Sequence, residues 1–303
     1  MTREAQEPQE PRRTDRAIVA GVDGSPESLA AAEWAAREAE NRRVPLRLAH
    51  AWRWEPLDLP LVQDPTGQEK AARDLVRAAE AEIAARHPEV AVSASVLPDT
   101  PVAALLAAQE DAEMLVIGSR GHGAVAGFLL GSYGQQVIAA ATRPVVSVRA
   151  RDGEAAEPPT GEILVGQQGT PEDSEPVLRF AFETAAARGA AIRAVRAWSL
   201  PPLYAYSPAS MRLADDAGGL VPFEEKALRE ALAPWRERYP YVPVTEHVEL
   251  GSAGQVLLTT SGAAQLLVVG RRARRGALGQ RIGSVAHAAL HLAPCPVAVV
   301  PQG

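Results

Sequence analysis

The amino-acid sequence predicts an α/β fold of two tandem domains, each a five-stranded parallel sheet with helices on both faces. The chain has 303 residues, which is enough for two domains of ordinary size. Strand-like and helix-like patterns alternate along both halves, and this order is typical of parallel sheets. The runs 114–118 (MLVIG) and 266–270 (LLVVG) are apolar up to their final glycine, as expected of strands buried on both faces.

The two halves of the chain repeat each other. Residues 17–28 (AIVAGVDGSPES) match residues 163–174 (ILVGQQGTPEDS), with the glycines 145 positions apart. Residues 114–121 match residues 266–273 at a larger offset of 152, so the second copy carries a small insertion. A self-similarity that spans the chain indicates two homologous domains.

The repeat divides the chain into four segments. Residues 1–16 are rich in Glu, Pro, Arg and Gln and cannot bury a core, so they are predicted to form a disordered tail. Residues 17–149 are the first domain and residues 162–303 the second. The Pro-, Gly- and Glu-rich residues 150–161 between them are predicted to be a linker.

Each element follows from the local pattern of apolar and polar residues. In the first domain strands are predicted near residues 17–22, 46–52, 90–96, 114–118 and 144–149. Helices are predicted near residues 26–42, 68–87, 101–110 and 132–142. In the second domain strands are predicted near residues 162–167, 191–198, 242–249, 265–270 and 296–300, with helices between them. Ser25 and Thr170 are predicted N-caps, each followed by a proline at the first helical position.

Composition and charge exclude several classes of function. The formal net charge of −6 gives no electrostatic support for nucleic-acid binding. A single cysteine, Cys295, excludes an internal disulfide and a cysteine-based zinc site. There is no apolar stretch of about 20 residues and no signal-like N-terminus, so we expect a cytoplasmic protein without membrane contact.

The strongest functional signal is a glycine-rich loop after the fourth strand. It begins with Gly118, Ser119, Arg120 and Gly121 and ends with Gly131 and Ser132, where the next helix opens. Glycines let backbone N–H groups approach an anion, and a helix start adds free N–H groups and a positive dipole end. The loop therefore predicts a phosphate site, with a solvated surface loop as the alternative.

Two other phosphate-binding motifs do not fit this loop. A Walker A loop requires Gly-Lys followed by Ser or Thr, and neither Lys70 nor Lys226 follows a glycine. Residues 121–126 imitate the dinucleotide fingerprint, which belongs after the first strand and needs an acidic residue about 20 positions later. Here it follows the fourth strand, and no acidic residue lies between Glu113 and Asp152.

The spacing Gly-x-x-Gly, nine residues, then Gly-Ser after the fourth strand resembles the universal stress protein family. Asp23 after the first strand and residues 50–51 (His-Ala) at the end of the second match the family pattern as well. The resemblance covers residues 17–149 and 162–301, so the chain is similar to tandem members of the family. This resemblance implies two Rossmann-like, nucleotide-binding domains.

Nucleotide-binding members of this family bind ATP, so the resemblance implies an ATP site, with Mg²⁺ as an optional phosphate counterion. It implies that Asp23, close to Gly21, holds the adenosine end and that the backbone at Ala51 meets the adenine. A carboxylate only accepts hydrogen bonds, which suits an adenine amino group or ribose hydroxyls. The resemblance also implies that the ribose and phosphates are bound by Gly118, Ser119, Gly121, Gly131 and Ser132, with Arg120 as an added charged contact.

The second half departs from this pattern. Gln168 stands at the position of Asp23, and Ala273 replaces the second loop glycine. The other counterparts of the site are Gly166, Ala197, Gly270, Gly283 and Ser284. Arg271 and Arg272 either grip phosphates or belong to a solvated basic loop. We therefore expect the second half to bind nucleotide more weakly than the first.

The resemblance implies a stress-linked binding or signalling protein rather than an enzyme. The alternatives are a slow ATP hydrolase or nucleotidyl transferase, and a dimerisation module without a ligand. The two halves are expected to pair face to face through their last strands, residues 143–149 and 295–301, because an exposed apolar edge promotes aggregation. The family's usual dimer contact implies an intramolecular pseudo-dimer, and a homodimer of the whole chain remains open.

Overall fold

The computed structural model describes residues 16–53, 65–119, 132–151, 154–155, 161–199, 219–272 and 282–302. The first half contains β1 (Ile18–Gly21), α1 (Pro26–Arg42), β2 (Leu46–Ala51), α2 (Pro65–Arg86), β3 (Val92–Leu97), α3 (Pro101–Ala108), β4 (Met114–Ser119), α4 (Ser132–Ala140) and β5 (Val145–Arg151). The second contains β7 (Glu162–Gly166), α5 (Pro171–Arg188), β8 (Ile192–Trp198), α6 (Val221–Arg238), β9 (Val244–Leu250), α7 (Ala253–Thr260), a 3₁₀ turn (Ser261–Ala263), β10 (Ala264–Arg272), α8 (Ser284–Leu292) and β11 (Val297–Gln302).

Ten strands form one sheet in the order β3-β2-β1-β4-β5-β11-β10-β7-β8-β9. Within each half all neighbouring strands are parallel, which confirms the predicted fold class. The strand order reverses between β1 and β4 in the first half and between β7 and β10 in the second. In open α/β sheets, ligands bind at the carboxyl ends of strands at such a reversal.

Helices cover both faces of the sheet, as predicted. One continuous core cluster holds side chains of α1, α2, α5 and α6, among them Trp34, Ile83, Phe182 and Trp235. The opposite cluster holds side chains of α4, α7 and α8, with Leu105 of α3 packed against it. Both clusters contain residues from the two halves, so on each face of the sheet the apolar core is continuous from one half to the other.

The helix starts read from the sequence are confirmed. Ser25 caps α1 by accepting a hydrogen bond from the backbone N–H of Ser28 at 3.2 Å. Thr170 caps α5 in a capping box, in which Asp173 N–H donates to its hydroxyl at 3.2 Å and the Asp173 carboxylate reaches back to the cap. Each cap satisfies backbone N–H groups that have no partner inside the helix.

The segment between the halves contains a short hairpin. Strand β5 continues to Arg151, and Ala150 and Arg151 pair antiparallel with β6 (Glu154–Ala155). The predicted linker therefore includes ordered strand residues at its start. The predicted disordered tail lies outside the described residues, apart from Arg16.

The two halves meet through β5 and β11, the last strand of each. They pair antiparallel and edge to edge, whereas the sequence analysis expected a face-to-face contact. Val146 lies opposite Ala298, and these residues occupy equivalent places in the repeat. Val145 lies opposite Val299, so the register is symmetric about the central pair. Each strand covers the edge that the other would otherwise expose.

A buried ionic cluster, which we call the interface cluster, consists of Glu38 on α1, Arg42 on α1 and Arg188 on α5. The Glu38 carboxylate is fully buried and accepts from Arg42 Nε at 2.5 Å and from Arg188 Nε at 2.8 Å. The Arg42 guanidinium lies 5.5 Å from the Phe180 ring centre, and that of Arg188 lies 5.1 Å from the Trp34 ring centre. One carboxylate thus links arginines from both halves of the chain.

Candidate functional site

A cleft of about 580 Å³ opens at the carboxyl ends of β1, β2 and β4, where the strand order reverses. We call it the first cleft. Its described lining includes Gly21, Val22, Asp23, Ser25, Glu27, His50, Ala51, Leu105, Ile117, Gly118, Ser132 and Tyr133. The volume falls within the ~300–1,000 Å³ that is typical of small-molecule sites. Five predicted site residues, Gly21, Asp23, Ala51, Gly118 and Ser132, are brought together here.

The loop between β1 and α1 places a carboxylate on the rim of the first cleft. Asp23 is exposed, and its Oδ1 accepts from the backbone N–H of Ser25 at 3.0 Å and from the Ser25 hydroxyl at 2.5 Å. Gly24 between them has φ of +81°, a left-handed conformation that favours glycine. Because Ser25 is also the cap of α1, the orientation of Asp23 is coupled to the start of that helix.

His50 and Ala51 end β2 beside this loop. His50 Nδ1 lies 2.7 Å from the carbonyl oxygen of Val22. A carbonyl only accepts, so Nδ1 donates, and the contact fixes which ring nitrogen carries the hydrogen. The Trp52 N–H donates to Leu97 O at 2.9 Å, so the chain at Ala51 is held in the sheet up to the cleft.

One wall of the first cleft is apolar. Leu105 of α3 packs over Gly21, where an added Cβ would lie 3.1 Å from Leu105 Cδ2. Ile117 lines the same wall. At the α4 end lies Tyr133, with 59% of its surface exposed. Tyr133 is not among the residues predicted from the sequence, although its place directly after the helix-opening Ser132 was a signal for it.

Gly118 serves the packing of α1. A Cβ at this position would lie 2.5 Å from the backbone carbonyl oxygen of Glu27, in the first turn of α1. The absent side chain therefore lets the helix start lie directly against β4. The sequence analysis attributed this glycine to the approach of an anion, and the geometry gives a different physical reason.

The remaining loop residues of the first half are only partly described. The Ser119 side chain is buried and its hydroxyl donates to Val148 O at 3.2 Å, so it faces β5 and is not among the described lining residues. Arg120, Gly121 and Gly131 lie outside the described residues.

The equivalent second cleft, at the ends of β7, β8 and β10, measures only about 50 Å³. It brings together the predicted residues Gly166, Gln168, Ala197 and Gly270, and its lining also includes Gln302. The two clefts occupy equivalent places in the repeat, but their free volumes differ about tenfold.

The two arginines predicted for the second site have other partners. Arg271 is 4% exposed, donates to the carbonyl oxygen of Ala141 in the first half, and has its pKa lowered by burial. Its contact ties the halves together, as does that of Arg149 with Ala293 O. Arg272 is exposed and lies 3.7 Å from the Asp173 carboxylate.

Gly283 and Ser284 are exposed at the start of α8, outside the described lining of the second cleft.

Among the residues that the structure describes, no helix is both long and apolar enough to cross a membrane. No group of three or more His, Cys, Asp or Glu side chains among them is arranged to hold a metal ion.

Fold and clefts together define a tandem, doubly wound α/β protein with a cleft at the strand-order reversal of each half. The family model described as the universal stress protein family matches residues 16–149 and 160–301. A universal stress protein of Mycobacterium tuberculosis H37Rv is 36% identical over 96% of this chain and 98% of its own length. The chain therefore belongs to the universal stress protein family.

Further comparisons agree in length and fold. Another universal stress protein of Mycobacterium tuberculosis H37Rv is 34% identical over 93% of this chain and 95% of its own length. The crystal structure of a universal stress protein from Archaeoglobus fulgidus DSM 4304 superposes with a TM-score of 0.68. The superposition covers 95% of this chain and 98% of the Archaeoglobus chain at 17% sequence identity, so it shows a similarity of fold alone.

Proposed function

We propose that this chain is an ATP-binding stress-response protein that holds the nucleotide mainly in the first cleft. It acts by nucleotide binding and protein interaction, in the cytoplasm, and not by catalysis. The observation that carries the proposal is the contrast between a first cleft of about 580 Å³ and a second cleft of about 50 Å³ at equivalent strand ends. The family resemblance of the same residues supports ATP as the ligand.

The lining of the first cleft fits an adenine nucleotide. Leu105 and Ile117 provide an apolar wall for a purine ring, next to the β2 backbone at Ala51. The Asp23 carboxylate accepts from ribose hydroxyls or the adenine amino group. The N-terminus of α4 at Ser132 offers backbone N–H groups and a positive dipole end to phosphates, with Mg²⁺ as a counterion in solution.

Replacing Asp23 with Asn tests the proposed contact between the Asp23 carboxylate and a ribose hydroxyl or the adenine amino group. The amide oxygen retains the acceptor for Ser25, so the α1 cap remains, while the charge is lost. A hydrogen bond to a charged group contributes about 1.5–3 kcal/mol, against about 0.5–1.5 for a neutral one. We expect the Kd for ATP, measured by titration calorimetry, to rise roughly tenfold.

The matched control is Gln168→Ala, which changes the equivalent position of the second cleft. It should leave the Kd of the tight site unchanged. An unchanged Kd in Asp23→Asn, or equal weakening in both variants, contradicts the assignment of the nucleotide to the first cleft.

Turnover of bound ATP is expected to be negligible. The described lining offers no lysine, and the Nδ1 of its one histidine, His50, is engaged by Val22 O. Phosphoryl transfer relies on positioned charges, a metal and an oriented nucleophile. ATP incubated with the protein and Mg²⁺ should persist for hours, as followed by phosphate release. A rate at or above ~1 s⁻¹, the lower range of working enzymes, favours the hydrolase alternative.

A further inference from the structure

The Gln302 side chain fills the space above Gly270 in the second half. Its Cδ, Oε1 and Nε2 atoms lie 2.6–2.7 Å from where a Cβ of Gly270 would be. Its Nε2 also donates to the backbone carbonyl of Asp173 at 2.8 Å, in the first turn of α5. The amide is thus wedged between strand β10 and the start of α5, at the edge of the second cleft.

The first half has no counterpart of this wedge. Gly118 pairs with Val148 on β5, and Gly270 pairs with Val300 on β11. Two residues further along, Ala150 therefore stands where Gln302 stands. The methyl group of alanine is too short to reach between the helix and the strand. The α1 backbone instead lies directly on Gly118 through Glu27 O.

A second set of contacts holds the β7–α5 loop beside the wedge. Arg196 Nη1 donates to Gln167 Oε1 at 2.6 Å and to Gly169 O at 3.3 Å. Its Nε donates to Glu224 of α6 at 2.6 Å. Gln167 is 2% exposed, and its amide donates to Ser174 Oγ at 3.2 Å. The loop is therefore fixed from the α6 side, while the Gln302 amide lies between Gly270 of β10 and the first turn of α5.

We propose that Gln302 closes the second cleft to nucleotides, so that the native chain has one nucleotide site instead of two. The inference rests on the proposed function in the first cleft and assigns Gln302 as the residue that decides the stoichiometry. Removing the wedge vacates the space above Gly270 at the edge of the second cleft. The position then resembles its counterpart in the first half, where the Ala150 side chain is too short to fill that space.

The test is the stoichiometry of ATP binding by the full chain in titration calorimetry. Wild type should bind one equivalent, and Gln302→Ala should bind two. The new site should be roughly tenfold weaker than the first, because Gln168 replaces the carboxylate there. The control Gln302→Met keeps the bulk of the wedge and should remain at one equivalent. Gln302→Ser serves as a second opening variant, and thermal melts confirm that each variant is folded.

Two equivalents in wild type, or one in folded Gln302→Ala and Gln302→Ser, overturn the proposal. Failure of the proposed function gives a different pattern. If wild type binds no ATP but the opening variants bind one equivalent, the first cleft is wrongly assigned and the role of Gln302 holds. If no variant binds ATP, both proposals fail.

Discussion

Replacing Glu38 with Ala should lower the free energy of unfolding by about 3–5 kcal/mol, the usual cost of removing one partner from a buried ion pair. Glu38 is fully buried between Arg42 and Arg188, whose side chains are 9% and 7% exposed. Its loss leaves two guanidiniums buried near each other in the interface cluster. Glu113, 3.5 Å from Arg42, stays in place as one acidic neighbour.

The matched control for Glu38 is Thr184→Ala on α5. Thr184 is equally buried and accepts from Arg42 Nη2 at 2.7 Å, but it is neutral. Because Arg42 is charged, we expect a loss of about 1.5–3 kcal/mol, typical of one hydrogen bond to a charged group. Urea unfolding of the full chain measures both. A loss for Glu38→Ala no larger than that for Thr184→Ala contradicts the ionic role of the interface cluster.

The same carboxylate should make stability depend on pH. Burial alone raises the pKa of Glu38, but the charges and hydrogen bonds of Arg42 and Arg188 outweigh it and hold the pKa below its usual value of 4.5. A lowered pKa in the folded state contributes stability above the unfolded value, and that contribution is lost as pH falls through the folded pKa. Wild type should therefore lose stability below about pH 4.5 more steeply than Glu38→Gln. Parallel acid-unfolding slopes would argue against this linkage.

Gly118→Ala should destabilise the first half and weaken ATP binding together. The added methyl would lie 2.5 Å from Glu27 O and 2.9 Å from Ser28 N, both backbone atoms that move only if α1 moves. Overpacking of this kind costs about 1–3 kcal/mol. The displaced helix start carries Ser25 and with it the orientation of Asp23, so we expect the Kd for ATP to rise at least roughly tenfold.

Gly270→Ala provides the matched control in the second half. There the methyl would meet the end of the Gln302 side chain, which can rotate away. We expect a loss of stability under about 1 kcal/mol, within the range of tolerated changes, and no change in the Kd of the tight site. Thermal unfolding and titration calorimetry of both variants give the comparison. Equal costs at the two glycines contradict the different packing of α1 and α5.

Local patterns in the sequence were sufficient to predict much of the fold. The N-caps Ser25 and Thr170 were readable because capping depends on residues three positions apart. The repeat itself indicated two equivalent sheets. The edge-to-edge pairing of β5 with β11 could not be predicted, because a strand edge pairs through backbone N–H and C=O groups, which leave no side-chain pattern in the sequence.

The site was predictable only where its residues act locally. Asp23 follows the end of β1 and Gly118 is the penultimate residue of β4, and both were predicted from their places at strand ends. The roles of Gln302 and Glu38 depend on contacts 129 and 150 residues away along the chain, which no local pattern contains. For Gln302 the available signal was its difference from Ala150, which occupies the equivalent position in the first repeat. The sequence left Arg271 as either a phosphate ligand or part of a solvated basic loop, whereas its buried guanidinium reaches the first half.

Amide hydrogen exchange of the full chain with and without ATP tests the central claim most directly. Exchange slows where a ligand covers or orders backbone N–H groups. We predict slower exchange with ATP at residues 22–28 and 132–136 around the first cleft, and no change at residues 167–174 around the second. Protection confined to residues 167–174, or none anywhere at saturating ATP, would contradict the assignment of the nucleotide to the first cleft.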